Sequence, residues 1–179
     1  MTARVALLRG INVGRGNRIA MADLRECLSE VGFEDVRTLL ASGNVIFDAP
    51  DGEGNDVLAT RLHDAVLDAF DVDARVLVLD EQKVQAVVAE HPWKTRELDP
   101  SRVLVMLPTD GAISEDVREL GERTWGVEEI FVGEHAVHLH CPDGISRGEL
   151  AEEAGRSMGS AVTARNWRTL LRIVDSMHS

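Results

Sequence analysis

The chain has no tyrosine, and aromatic residues make up 4% of its 179 positions. They are Phe33, Phe47, Phe70, Phe131 and three tryptophans. A sheet surface that reads single-stranded RNA needs exposed rings on which bases stack. Most of these rings fall at apolar positions, so single-stranded RNA ranks below smaller ligands as a partner. Cysteine is equally scarce. Cys27 and Cys141 form no spacing motif and read as free thiols of a reducing compartment, not as a disulfide framework. No apolar run approaches the roughly 20 residues a membrane helix requires, so no membrane partner is expected. The N-terminus lacks a basic stretch followed by an apolar segment and a small-residue cleavage site. These absences together lead to a cytoplasmic expectation.

What is present is acid. The net charge is −12, which argues against duplex DNA, whose binding proteins must neutralise phosphates. Its distribution is uneven. Residues 1–40 carry six arginines against five acids, whereas residues 41–100 carry five basic side chains against thirteen acids. Two long stretches have no acid at all, Met1–Ala22 and Ala154–Val174. The first holds Arg4, Arg9, Arg15 and Arg18, the second Arg156, Arg165, Arg168 and Arg172. If folding brought the two stretches together, a local positive site would stand on an acidic protein and focus an anion.

Apolar periodicity sets the element order. Arg4–Arg9 reads as a strand, and Ala20–Val31 as a helix with Met21, Leu24, Leu28 and Val31 on one stripe. Val36–Leu40 and Val45–Asp48 read as a hairpin around Ser42-Gly43-Asn44. A helix capped by Asn55 or Asp56 runs to Phe70 with Val57, Leu58, Leu62, Ala65, Val66 and Ala69 inward. Ala74–Leu79 is a fourth strand. This β-α-β-β-α-β order is that of a ferredoxin-like unit. Asp80 then caps a helix, and residues 91–100, with two prolines, interrupt the pattern. A strand (102–107), a short helix from Ser114, a hairpin (129–132 and 136–140), a helix (146–158) and a last helix (166–177) follow. The fold class is therefore α+β in two subdomains, 1–91 ferredoxin-like and 92–179 a similar unit closed by a C-terminal helix.

The chemistry concentrates in Leu7–Ile19, where an apolar strand enters a loop rich in glycine and arginine. Gly10, Gly14 and Gly16 permit a curled backbone whose amides can converge on an anion. Arg9, Arg15 and Arg18 supply forked donors. The segment matches neither a P-loop nor a dinucleotide fingerprint, and its plain structural alternative is a tight strand-to-helix loop.

Other candidates are weaker. His135, His138, His140 and Cys141 invite a metal reading, but only His138 and His140 share a strand face, so the expectation is exposed strand histidines and no metal. His91 heads the linker without an evident partner, and Trp93 reads as an anchor for it. Ser42 lacks a nucleophile elbow and reads as a turn residue. Glu128-Glu129 and Glu152-Glu153 read as solvated surface.

Arg9-Gly10-Ile11-Asn12-Val13-Gly14, Ser42-Gly43-Asn44, Pro142-Asp143-Gly144 and Thr163-Ala164-Arg165-Asn166-Trp167, in that order, resemble the bacterial domain-of-unknown-function family 1697 over essentially the whole chain. The resemblance implies two small α+β subdomains, the first ferredoxin-like, and no established activity or cofactor. The chain departs from the family's usual pattern at Gly14-Arg15-Gly16-Asn17-Arg18, at Gly148-Glu149-Leu150, where a lysine is usual in place of Glu149, and at Arg168.

The resulting functional expectation is a binding module for a small anion or nucleotide. Its ligand-binding set is Arg9, Gly10, Asn12, Gly14, Arg15, Arg18, Ser42, Asn44, Arg165, Asn166, Trp167 and Arg168. The structural alternative for this set has Asn166 capping the final helix and Arg165 pairing with an acid. Two other function classes compete: an enzyme acting on a phosphorylated or carboxylated metabolite, and a protein–protein interaction module.

Overall fold

The computed structural model describes residues 1–178. The chain packs as two units, Met1–Val84 together with the chain end from Arg172, and Gln85–Leu171. This division falls inside a helix, upstream of the position after residue 91 that the linker composition suggests. The chain end belongs to the first unit because Arg37 Nη1 donates to Ser176 O at 3.0 Å and His178 Nε2 lies 2.9 Å from Glu81 Oε1.

Unit 1 contains β1 (Thr2–Arg9), α1 (Met21–Glu30), β2 (Glu34–Leu39), β3 (Asn44–Ala49), α2 (Asn55–Phe70) and β4 (Arg75–Asp80). The antiparallel sheet has the order β2-β3-β1-β4, the ferredoxin-like arrangement of the sequence reading. Ala6, Leu8, Val45, Phe47 and Val78 of the sheet pack with Leu24 and Leu28 of α1 and Leu58, Leu62 and Val66 of α2. Phe33 meets Phe47 edge-on, with ring centroids 4.9 Å apart, and Arg61 lies over the Phe33 ring.

The helix stripes are narrower than the sequence suggests. Val31 lies beyond α1 and is exposed, and Val57 and Ala69 of α2 face solvent. An apolar residue at the edge of a stripe is buried only where a neighbouring element covers it. The N-cap of α2 is Gly54, with no side-chain cap; Asn55 instead donates to Asp80 Oδ2 at 3.0 Å.

Helix α3 (Glu81–Glu90) follows β4, with the Lys83 amide donating to Asp80 Oδ1 at 2.8 Å as the capping pattern suggests. Unit 2 then contains β5 (Val103–Pro108), α4 (Glu115–Gly121), β6 (Glu129–Val132), β7 (Val137–His140), α5 (Glu149–Met158) and β8 (Val162–Asn166), and α6 (Trp167–Met177) ends the chain. The sheet order is β6-β7-β5-β8. Strand for strand this repeats unit 1. β8 completes the second β-α-β-β-α-β motif; it is absent from the sequence reading because Val162–Asn166 carries two polar side chains and an arginine. The expected helix over 146–158 is also split. A single 3-10 turn (Ile145–Arg147) precedes α5, with the extended Gly148 between them.

No helix among the described residues is long and apolar enough to cross a membrane.

Candidate functional site

In unit 1, β1 ends at Arg9 and the chain enters a loop shaped by positive φ angles at Gly10 (82°), Asn12 (53°), Gly14 (64°) and Asn17 (51°). Asn12 is its clasp. Asn12 Nδ2 donates to Ile19 O and to Ala41 O, each at 2.9 Å, while the Ile19 amide donates back to Asn12 Oδ1 at 2.9 Å. The Asn12 amide donates to Asn17 O at 2.9 Å, and Asn17 Nδ2 to Gly10 O at 3.0 Å. A short amide side chain that tolerates the left-handed region while bonding nearby backbone suits both positions.

The Ser42-Gly43-Asn44 turn lies beside this loop. Asn44 is fully buried; its Nδ2 donates to Leu39 O at 2.8 Å and to Ser42 Oγ at 3.1 Å. Gly43 has φ 83°, and its carbonyl accepts from the Leu8 amide at 2.8 Å. A β-carbon at Gly43 would stand 2.9 Å from Ile11 Cδ1 and 3.0 Å from Leu8 Cβ. Asn12, Gly43 and Asn44 thus shape the loop from within. Arg9, Arg15 and Arg18 lie at the surface, as do Val13 and Asn17, and Arg18 Nη2 donates to Gly14 O at 2.7 Å. No carbonyl or carboxylate of the described residues accepts from the amides of Val13, Gly14, Arg15 or Gly16, and none pairs with the Arg15 guanidinium.

The second expected group lies in unit 2. Asn166 Oδ1 accepts from the Thr169 amide at 2.9 Å, so Asn166 caps α6. Arg165 is buried; its Nη1 donates to Ala164 O at 2.7 Å and Thr163 Oγ1 at 3.1 Å. Burial lowers its pKa to about 10. Arg168 is exposed and reaches Asp99 Oδ1 at 3.3 Å. Trp167 is half-buried and belongs to a cluster that the sequence reading does not assemble.

That cluster centres on His91. Its ring stacks on Trp167 with centroids 3.9 Å apart and a 16° interplanar angle, and Trp93 meets it edge-on at 5.6 Å. His91 Nδ1 lies 3.2 Å from His138 Nδ1, and His138 Nε2 lies 3.4 Å from Glu90 Oε1. His140 Nδ1 lies 3.1 Å from Glu129 Oε2, whose other oxygen accepts from Arg96 at 2.8 Å. Burial, then the neighbouring His138 and Lys94, lower the His91 pKa to about 4. Burial also lowers that of His138, against an opposing pull from Glu90.

His138 and His140 are therefore buried and partnered, which corrects the expectation of exposed strand histidines. The pleat puts both on one face, where His91 packs against His138 and Trp93 against His140. His91 likewise has partners that its sequence neighbours do not reveal. Among the described residues, no three His, Cys, Asp or Glu side chains converge as a metal site would need. Cys141 is buried beside Glu128, and burial followed by that carboxylate push its thiol to about 12.

The α5 N-terminus is occupied from within. Glu128 Oε2 accepts from the Leu150 amide at 3.1 Å, and Glu149 sits exposed in the first turn, where an acid complements the helix dipole. The departure from lysine at Glu149 is thus consistent with local helix electrostatics.

The sequence profile of a family described as protein of unknown function (DUF1697) matches residues 1–138. The chain belongs to the DUF1697 family. A conserved bacterial protein from Streptococcus pneumoniae has a similar structure, with a TM-score of 0.75 and 22% sequence identity, covering 98% of this chain and 98% of that one. At that identity the likeness speaks for the fold alone. No curated protein matches. The part of the chain that matches DUF1697 includes the Arg9–Gly14 and Ser42–Asn44 motifs and ends before Pro142 and Thr163. In this DUF1697 protein, the asparagines of those two motifs hold backbone, and Arg9 is exposed.

Proposed function

We propose that the protein is a binding module for a small anion, of the class of a phosphorylated or carboxylated metabolite or a nucleotide, and that the Gly10–Arg18 loop of unit 1 captures it. The observation that carries this reading is the set of unengaged amides at Val13–Gly16 beside the unpaired Arg15 guanidinium. A loop that leaves successive donors open, inside a stretch without acid, presents fixed partial and full positive charge to an anion. The shape is set beforehand by the Asn12 and Asn17 side chains, so little ordering entropy would be lost on binding. Capture is by hydrogen bonds and charge, with no covalent step.

The reading is limited to unit 1. Of the C-terminal set, Arg165 is buried and donates to Thr163 and Ala164 of its own strand, Arg168 reaches Asp99 and Asn166 caps a helix.

The test is thermal denaturation with inorganic phosphate, nucleoside phosphates and dicarboxylates, on the natural protein and on Arg15→Ala and Arg15→Glu. A ligand at a hundred times its Kd adds about 2.7 kcal/mol of stability. That gain should shrink in Arg15→Ala and vanish in Arg15→Glu. No gain with any anion, or an equal gain in all three proteins, overturns the reading.

A further inference from the structure

Unit 2 holds a cleft of about 200 Å³ whose walls include His91, Trp93, Lys94, Arg96, Pro100 and Trp167. Its size is informative. An apolar cavity of about 150 Å³ accepts benzene, while drug-sized ligands occupy about 300 Å³ or more. The space therefore suits one aromatic ring with a small substituent, not a nucleotide.

The hydrogen-bond chain behind the cleft fixes what its polar wall can do. Glu90 accepts from the amides of Glu134 (2.9 Å), His135 (3.1 Å) and Ala136 (2.7 Å), so both of its oxygens act as acceptors. His138 must then donate from Nε2 to Glu90, leaving its Nδ1 as acceptor in the neutral ring. His91 must donate from Nδ1 to His138 Nδ1. A neutral His91 is left with a bare lone pair on Nε2. Among the described residues nothing donates to that nitrogen, and it is not one of the buried side-chain atoms sealed from solvent without a partner. Three fixed groups thus leave an accessible acceptor in an aromatic wall.

Lys94 supplies the charge. Its Nζ donates to Ala89 O, and no carboxylate of the described residues pairs with it. Arg96, by contrast, is engaged by Glu129.

We propose that this cleft binds a small planar aromatic acid that carries an N–H or O–H donor. Its ring packs against Trp93 and Trp167, its donor meets His91 Nε2 and its carboxylate meets Lys94. The site is separate from the loop in unit 1, and its test does not depend on that loop.

Four probes separate the contributions: 4-hydroxybenzoate and imidazole-4-carboxylate, which have ring, donor and acid; benzoate, which lacks the donor; and cyclohexanecarboxylate, which lacks the flat ring. Binding is read by tryptophan fluorescence and by amide chemical-shift changes in the full chain. The donor-bearing acids should shift the amides around residues 91–98 and bind several-fold to about tenfold more tightly than benzoate, the range of one hydrogen bond. Cyclohexanecarboxylate should be weakest.

His91→Phe keeps an aromatic ring and should erase the preference for a donor. Lys94→Gln, at an exposed position, should weaken all the acids while leaving the preference intact. Arg15→Ala should change nothing. Absence of binding by every aromatic acid to the folded protein overturns the proposal. A donor preference that survives His91→Phe, or shifts that map away from residues 91–98, does the same.

Discussion

Glu90 holds the backbone of Ala136: its Oε1 accepts from the Ala136 amide at 2.7 Å, across 46 positions of chain. Its other oxygen takes the amides of Glu134 and His135, so one carboxylate satisfies the turn of the β6–β7 hairpin. Gly133 passes so close to that carboxylate that a β-carbon there would collide with it. Glu90→Ala should strand three amides and remove the partner of His138. Bonds to a charged group contribute about 1.5–3 kcal/mol each, and partial access of water to the turn will recover some of that. We expect a loss of roughly 3 kcal/mol, with Glu90→Gln intermediate because it keeps one acceptor oxygen. Urea unfolding of the three proteins measures it, and equal stability would refute the assignment of Glu90 as the hairpin's anchor.

The buried His91–His138 pair should make the protein acid-sensitive. A His91 pKa of about 4 in the folded state, against 6.5 as the ordinary value, means that the unfolded chain binds the proton more readily. The contribution is full above pH 6.5, declines as pH falls below it, and is gone near pH 4. Such a shift corresponds to on the order of 3 kcal/mol, and His138 acts in the same direction. Melting curves between pH 7 and pH 4 should show this slope, and His91→Phe should flatten it. An unchanged slope in the variant would place the acid sensitivity elsewhere.

Asn12 should matter to stability more than its half-exposed position suggests. Asn12→Asp keeps the acceptor for the Ile19 amide but loses both donated bonds; Asn12→Gly keeps the positive φ and loses all three. A net hydrogen bond contributes about 0.5–1.5 kcal/mol, so a loss of about 1–3 kcal/mol is expected for either. Amide hydrogen exchange over residues 10–20 should rise in both. No change in exchange would mean that the clasp is redundant.

The readable part of the sequence was the part governed by local rules. Strand and helix order in unit 1 follows from apolar period, and Gly43, at positive φ, marks the hairpin turn. β8 escaped because Thr163, Arg165 and Asn166 look polar in isolation, yet its pairing with β5 satisfies the strand backbone. Arg165 is misleading for the same reason. As a sequence letter it is a free cation, but in the fold its guanidinium is buried against oxygens of its own strand.

The sequence by itself determined the α+β class, the ferredoxin-like order of the first unit, and a glycine- and arginine-rich loop free of acid. Each rests on periodicity, backbone permissiveness or charge count, which neighbouring residues specify. Only the tertiary structure decided which polar groups are spent. It assigned Asn12 and Asn44 to backbone, closed the second unit with β8, and gathered Glu90, His91, His138 and Trp167 into one cluster. Glu90 and His91 are sequence neighbours, but His138 and Trp167 lie tens of positions from them, and nothing in the local sequence encodes the distances. Sheet pairing and burial set them, and those distances place the linker's one histidine, His91, on the wall of a cleft.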